Sequence, residues 1–204
     1  MKDQQLKELL LQSLEQEIGG VQVYETALKC ALNDDLREEW EKYLTQTQGH
    51  ELVLRTTLGE LGIDTEEETA GRAILRSLGE SLVAAMEKAL SEGPPDAAQI
   101  VACECVVLAE TKDHLDWELI GKCAENAEGE MAEALRAAYA EVEDQEDEHL
   151  YHTKGWAREL WIESLGMASV LPPPEERRHV KSALEAAKAA QSRKRAEHSR
   201  RPHS

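Results

Sequence analysis

Acidic and imidazole side chains interrupt four apolar patterns of helical spacing, each near the middle of its pattern. These residues are Glu17 in the first pattern, His50 in the second, Glu110 and His114 in the third, and Glu146 and His149 in the fourth. Each lies three or four positions from apolar residues, so it shares their helix face and is expected in the interior. An unpaired carboxylate costs several kcal/mol to bury, or it takes up a proton. Carboxylates and imidazoles that meet in one helical core are therefore expected to share metal cations.

These polar positions recur in an internal repeat. The aligned pairs are Glu17 with Glu110, Tyr24 with Trp117, Lys29-Cys30 with Lys122-Cys123, Thr47 with Glu146, and His50 with His149. A repeat that preserves polar positions inside an apolar pattern predicts two helical hairpins of similar design. A duplicated scaffold whose polar positions have lost their role would give the same pattern, and it stays an alternative.

The composition favours helices throughout the chain. Phe is absent, aromatic residues make up 4% of the 204 positions, and Ala, Leu and Glu are common. No apolar run approaches the roughly 20 residues that span a bilayer, and the first residues lack the apolar core of a secretory signal. The four cysteines form no CxxC pair and are expected to be reduced thiols. These features predict a cytoplasmic, all-α protein without a membrane segment.

The charge is distributed unevenly. The chain has a formal net charge of −18, yet the segment from Pro172 onward holds nine Lys or Arg against four Asp or Glu. Because contacts to phosphates need a basic face, the acidic body is not expected to bind nucleic acid. The basic end, with Arg193-Lys194-Arg195 and Arg200-Arg201, is expected to be solvated, and folding back onto the acidic body is the alternative.

Five helices are predicted before the proline cluster Pro172–Pro174. They span residues 3–31, 34–61, 65–91, 96–127 and 129–165. Thr65-Glu-Glu-Glu68 has the pattern of a capping box and is predicted to open the third helix. Short turns make the first and last pairs antiparallel hairpins, and the third helix is the crossover between them. The sequence thus predicts a helical domain over 1–171 and a basic, helical or disordered tail over 172–204.

The arrangement of polar residues resembles the ferritin-like superfamily, in its rubrerythrin-like branch and in the small bacterial ferritin-like proteins linked to stress responses. In that family the first and third long helices each give one Glu, and the second and fourth each give Glu-x-x-His. Glu17, Glu110 and Glu146-Asp-Glu-His149 match, whereas the second helix reads Thr47-Gln-Gly-His50. The resemblance spans roughly residues 6–165. It implies a ferritin-like four-helix bundle with one or two bound ions of iron, or alternatively of manganese or zinc.

The threonine at position 47 removes one carboxylate from the expected ligand set. A two-metal site would then carry more positive charge than the family site, so a mononuclear site is an open alternative. His114, one turn after Glu110, is the candidate substitute ligand. Gln46 is expected to point away from the site. Tyr24 is expected to pack in the core, and a radical or hydrogen-bonding role near the metal makes it the candidate catalytic residue.

The resemblance also implies a reaction class. It is the oxidation of ferrous iron coupled to the reduction of oxygen or peroxide. The chain has no rubredoxin-like cysteine cluster, so electrons would come from a separate donor or from iron itself. The expected partners are metal ions, oxygen or peroxide, and a second copy of the chain in a homodimer. The competing hypothesis is a bundle with a degenerate metal site that serves as a structural or binding module.

Overall fold

The computed structural model describes residues 2–200, with side chains described through residue 193, and its regular structure in that range is helical. The helices are α1 (Asp3–Cys30), α2 (Asp34–Glu60), α3 (Ala70–Glu92), α4 (Pro95–Asn126), α5 (Gly129–Ser164), α6 (Pro174–Arg177) and α7 (Ala183–Arg200). The all-α prediction is confirmed. None of the described helices combines the length and the apolar character that crossing a membrane would require.

Four long helices pack side by side in a closed order. α1 contacts α2 and α4, and α5 contacts the same two helices from the other side. Residues 31–33 join α1 to α2, and residues 127–128 join α4 to α5, so each pair runs antiparallel as predicted. The crossover helix α3 lies against α1 and α4. The four long helices thereby enclose one interior, and α3 covers one of its outer faces.

The interior has two apolar clusters with a polar layer between them. One cluster contains Trp40, Tyr43 and Trp156, and the other contains Leu14 and Leu54 together with their neighbours. On each long helix the polar interruption found in the sequence lies between residues of the two clusters. Apolar packing above and below therefore fixes the depth of the polar side chains.

The start of α3 differs from the prediction. The helix begins at Ala70, and the side chain of Thr69, rather than that of Thr65, caps it by accepting a hydrogen bond from the backbone N–H of Arg72. The Arg72 guanidinium donates to the carbonyl oxygens of Thr65 and Glu67 at 2.7 and 2.9 Å. Because the carbonyl oxygens of Thr65 and Glu67 accept these hydrogen bonds from Arg72, residues 65–68 form turns before the helix.

Arg72 also forms a buried ion pair that fastens α3 to α1. Its Nη2 lies 2.9 Å from Oε2 of Glu15, and both side chains are 5% exposed. The more exposed Arg76 also contacts Glu15.

Replacing Arg72 by Ala should lower the free energy of unfolding by roughly 3 kcal/mol, because the Glu15 carboxylate keeps only one exposed partner. The matched change is Arg55→Ala, which removes more exposed pairs with Glu51 and Glu66 and should cost about 0.5 kcal/mol. Urea unfolding measures both values. Equal losses in the two variants would show that the buried pair contributes no more than a surface pair.

The C-terminal segment packs against α5 over the residues whose side chains are described. Arg158 holds the buried carboxylate of Glu175 with two hydrogen bonds of 2.7 and 2.9 Å. Arg193 donates to Glu159 at 2.9 Å. The expectation of a solvated end is therefore wrong for Arg193, which folds back and joins Arg158 in pairing with the buried carboxylate of Glu159. The other basic residues of that expectation, Lys194, Arg195, Arg200 and Arg201, lie outside the described side chains.

Candidate metal centre

Six ionisable side chains from the four long helices meet in the polar layer. They are Glu17 of α1, His50 of α2, Glu110 and Asp113 of α4, and Glu146 and His149 of α5, and each is between 0 and 3% exposed. We refer to these six residues as the central cluster. The structure thus brings together five of the six metal ligands proposed from the sequence and adds Asp113.

Glu146 is the shared member of two donor groups. One donor atom each from His50, Glu146 and His149 lie within 4.8 Å of one another, and the same holds for Glu17, Asp113 and Glu146. His50 Nδ1 is 2.8 Å from Glu146 Oε1, and His149 Nδ1 is 3.6 Å from the same oxygen. Glu110 Oε2 lies 3.5 Å from His149 Nδ1 and so adjoins the first group. The cluster therefore offers two neighbouring positions for a cation.

The atoms that face the centre of the cluster have no hydrogen-bond partner among the described residues. They are Glu17 Oε2, His50 Nδ1, Glu110 Oε2, Asp113 Oδ1, both carboxylate oxygens of Glu146, and His149 Nδ1. The short approach of His50 Nδ1 to Glu146 lacks hydrogen-bond geometry. Buried polar atoms in folded proteins are almost always paired. Seven unpaired atoms in one place fit a bound cation, which would be their common partner.

Two glutamines set the tautomers of the imidazoles. His50 Nε2 lies 3.1 Å from Gln145 Oε1, and His149 Nε2 lies 3.0 Å from Gln46 Oε1. An amide oxygen only accepts, so each Nε2 carries the proton and donates it. The lone pair of each Nδ1 is thereby free and points into the cluster, which is how outer hydrogen bonds prepare imidazoles to bind metals.

Burial and mutual repulsion keep Glu17, Asp113 and Glu146 from ionising easily. The pKa of Glu146 is raised well above its usual value by burial and then by Glu110 nearby. The pKa of Asp113 is raised by burial and by Glu146, and the pKa of Glu17 by burial and by Asp113. Burial lowers the pKa of His50. Without a cation these four groups therefore favour their neutral forms, and a cation would reverse that preference.

Tyr24 and Trp117 orient two of the carboxylates in a reciprocal way. Tyr24 of α1 donates its hydroxyl proton to Glu110 Oε1 at 2.7 Å, and Trp117 of α4 donates Nε1–H to Glu17 Oε1 at 2.8 Å. Each aromatic residue lies seven positions after one Glu and bonds to the Glu of the other helix. The repeat in the sequence is thus a repeat of contacts, and it gives Tyr24 a positioning role.

His114 does not join the central cluster. Its Nε2 lies 2.7 Å from Asp147 Oδ1, the side chain is 16% exposed, and the hydrogen bond raises the pKa of this histidine. Glu110 and residue 113 share the inward side of α4, whereas residue 114 is turned further toward α5 and the surface. The fourth carboxylate therefore comes from Asp113, three positions after Glu110.

Sequence reasoning missed Asp113 and both glutamines. The spacing of three between Glu110 and Asp113 was an available signal, because residues three and four apart share a helix face. The expectation that Gln46 points away is wrong, since its amide reaches across the interface to His149. Thr47 is buried at 1% exposure and faces Gly20, where an added Cβ would lie 3.2 Å from the threonine methyl group. Such close packing leaves little room for the family's glutamate.

A second buried polar group lies beside the central cluster. His152 Nδ1 lies 2.7 Å from Glu39 Oε1, and Trp156 donates Nε1–H to the other oxygen of Glu39 at 2.9 Å. Tyr43 contacts Glu39 and His152, and its ring centroid is 4.2 Å from that of His149. The bonds to His152, Tyr43 and other groups outweigh burial and lower the pKa of Glu39 to about 2. Glu39 is thus fully paired, whereas His152 Nε2 has no hydrogen-bond partner among the described residues, and Tyr43 packs against His149.

Comparison of the chain with protein-family models, with curated proteins and with solved structures gives no match. The functional interpretation therefore rests on the geometry of the central cluster. The ferritin-like resemblance remains a prediction from the sequence motifs.

Proposed function

We propose that the central cluster binds two divalent cations and that the chain is a ferritin-like, non-haem metal-binding protein. The observation that carries this proposal is the set of seven buried donor atoms of the central cluster that have no hydrogen-bond partner among the described residues. A degenerate site kept as a structural module would be expected to pair its polar groups with one another. Both carboxylate oxygens of the neighbouring Glu39 are paired in that way, whereas both oxygens of Glu146 in the central cluster are not.

The charge of the ligand set supports two cations. Glu17, Glu110, Asp113 and Glu146 together supply four negative charges when ionised, and the two imidazoles are neutral ligands. Two divalent cations balance that charge, so Asp113 compensates for the glutamate that Thr47 replaces. Glu146 belongs to both donor groups and is suited to contact both ions. On this account the carboxylate that Thr47 of α2 lacks is supplied instead by Asp113 of α4.

Mixed imidazole and carboxylate ligands favour iron, with manganese or zinc as alternatives. Bound iron would supply the electrons for reduction of oxygen or peroxide, and we propose this ferrous oxidase or peroxide-handling chemistry as the activity. The residues of the chain orient the carboxylates through Tyr24 and Trp117. They keep each Nδ1 unprotonated through the two glutamines. The apolar clusters above and below exclude bulk water.

Metal analysis tests this proposal. Protein loaded anaerobically with ferrous iron should retain about two ions per chain, and a ferrous oxidation assay should follow their oxidation. Asp113→Asn should reduce the number of tightly bound ions to about one, because it removes a donor of one group only. His149→Ala and Glu110→Ala should each abolish tight loading at the group around His149.

The matched control is Asp116→Asn. Asp116 is also a buried aspartate of α4, but it pairs with Lys112 at 2.5 Å rather than with the cluster. It should leave the number of bound ions unchanged. Full loading of the Asp113, His149 and Glu110 variants would exclude the central cluster as the metal site.

A further inference from the structure

A small cavity between α4 and α5 joins the protein surface to the central cluster. Its volume is about 120 Å³, and its lining is formed by His114, Trp117, Glu118, Tyr139, Glu143, Glu146 and Asp147. Glu118 and Glu143 are exposed, His114 and Asp147 are partly buried, and Glu146 and Trp117 are 1% exposed. The same cavity is therefore lined by exposed residues at its outer end and by Glu146 of the central cluster at its inner end.

The inner end of this cavity is prepared for a ligand. Glu146 is buried, and neither of its carboxylate oxygens has a hydrogen-bond partner among the described residues. The lining of the cavity contains four carboxylates and one imidazole and no Lys or Arg among the described side chains. A cation that enters passes Glu118, Glu143 and Asp147 before it reaches Glu146, and a cleft lined by acidic groups attracts cations.

We propose that this cavity is the route by which a divalent cation reaches the central cluster, with His114 and Asp147 as the first binding station. The inference rests on the proposed metal-binding function and names the path to that same site. His114 Nε2 and Asp147 Oδ1 lie 2.7 Å apart and only partly buried, so each can exchange its partner for an arriving cation. Asp147 is adjacent in sequence to Glu146, which would receive the ion next.

The other faces of the cluster are less suited to this role. On the α2 and α5 side, the amides of Gln46 and Gln145 lie over the imidazoles and are hydrogen-bonded to them. On the α1 and α4 side, α3 covers the helices. The cavity there is about 330 Å³ in volume, its lining is largely apolar, and it includes no residue of the central cluster.

Stopped-flow binding of Co²⁺ to the full chain tests the route. The double variant Glu118→Gln with Glu143→Gln removes charge at the mouth, and His114→Ala removes one partner of the station. Both should slow association by about tenfold. The number of ions bound at saturating Co²⁺ should not change, because the variants alter the route and not the ligands of the central cluster. The control, Glu130→Gln with Glu133→Gln, makes the same charge change at exposed sites near the start of α5.

Each outcome decides the matter. Association rates equal to those of the unmodified chain in both test variants would overturn the route. Equal slowing in the control variant would also overturn it, because the net negative charge of the protein would then account for the attraction of Co²⁺. Loss of bound Co²⁺ at equilibrium in the mouth variant would also overturn it, because Glu118 and Glu143 would then be ligands. An unmodified chain that binds no Co²⁺ would overturn the proposed function as well, so the two failures are distinguishable.

Discussion

Replacing Glu146 by Gln should make the metal-free protein more stable while it abolishes tight cation binding at both positions. Glu146 is the one residue common to both donor groups, so its loss affects both. In the absence of metal, the buried carboxyl group of Glu146 has no hydrogen-bond partner, and folding at pH 8 must either return a proton to it or bury its charge beside Glu110. The amide is neutral and can donate to the free Nδ1 of His50, which lies 2.8 Å from the present Oε1. We expect the free energy of unfolding to rise by roughly 2 kcal/mol at pH 8.

Two measurements on one variant test this prediction. Urea unfolding with a chelator present gives the stability, and titration with Co²⁺ gives the binding. Glu141→Gln is the control, since this residue is exposed on the same helix and should change neither quantity. A variant that is less stable and still binds two ions would show that Glu146 stabilises the fold and is not a ligand.

The stability of the metal-free protein should fall as the pH rises from 7 to 9. Glu17, Asp113 and Glu146 have pKa values raised well above the usual range, so the folded chain holds protons that the unfolded chain has released above about pH 4. Stability therefore decreases with pH until each folded pKa is passed. Each proton still held contributes a slope of about 1.4 kcal/mol per pH unit. Glu176, with a pKa raised to about 8 mainly by burial, acts in the same direction.

Two histidines affect how the stability of the folded chain depends on pH below about 7. The pKa of His50 is lowered in the folded chain. Below about pH 6.5 its imidazole is therefore protonated more readily in the unfolded chain, and stability falls as the pH decreases. His114 has a raised pKa and contributes stability below that pH, which is lost as the pH rises through its folded pKa. Above pH 7 His50 is neutral in both states, and the carboxyl groups determine the slope.

Urea unfolding at pH 7, 8 and 9, with a chelator and with saturating Co²⁺, checks this prediction. Bound metal should remove or reverse the decline because it displaces the protons that the buried carboxyl groups hold. The slope of Glu146→Gln without metal should be shallower than that of the unmodified chain. Metal-free stability that increases over this range would mean that the buried carboxylates are ionised and paired in the fold.

The sequence predicted the helices well because their determinants are local. The 3.6-residue periodicity, the Gly93-Pro94-Pro95 break and the short turns near Asn33 and Gly129 fix the ends of the long helices to within about one residue. The start of α3 was wrong because two caps competed. Thr65 begins the better sequence motif, but Arg72 engages the carbonyls there and leaves Thr69 as the cap.

The site was predictable only in part, and the reason is geometric. Burial of Glu17, His50, Glu110, Glu146 and His149 follows from their spacing among apolar residues. The choice between Asp113 and His114 depends on how α4 is rotated against α5, which neighbouring packing decides. The roles of Gln46 and Gln145 depend on contacts across the α2 and α5 interface, more than ninety positions apart in the chain, and no local pattern encodes them.

Anomalous diffraction from crystals loaded with Co²⁺ or ferrous iron tests the metal site most directly. The account predicts two peaks enclosed by α1, α2, α4 and α5, one of them about 2.1 Å from Nδ1 of His50 and of His149, and both next to Glu146. Loaded crystals with no peak in this position, or with peaks only beside exposed carboxylates, would contradict the account.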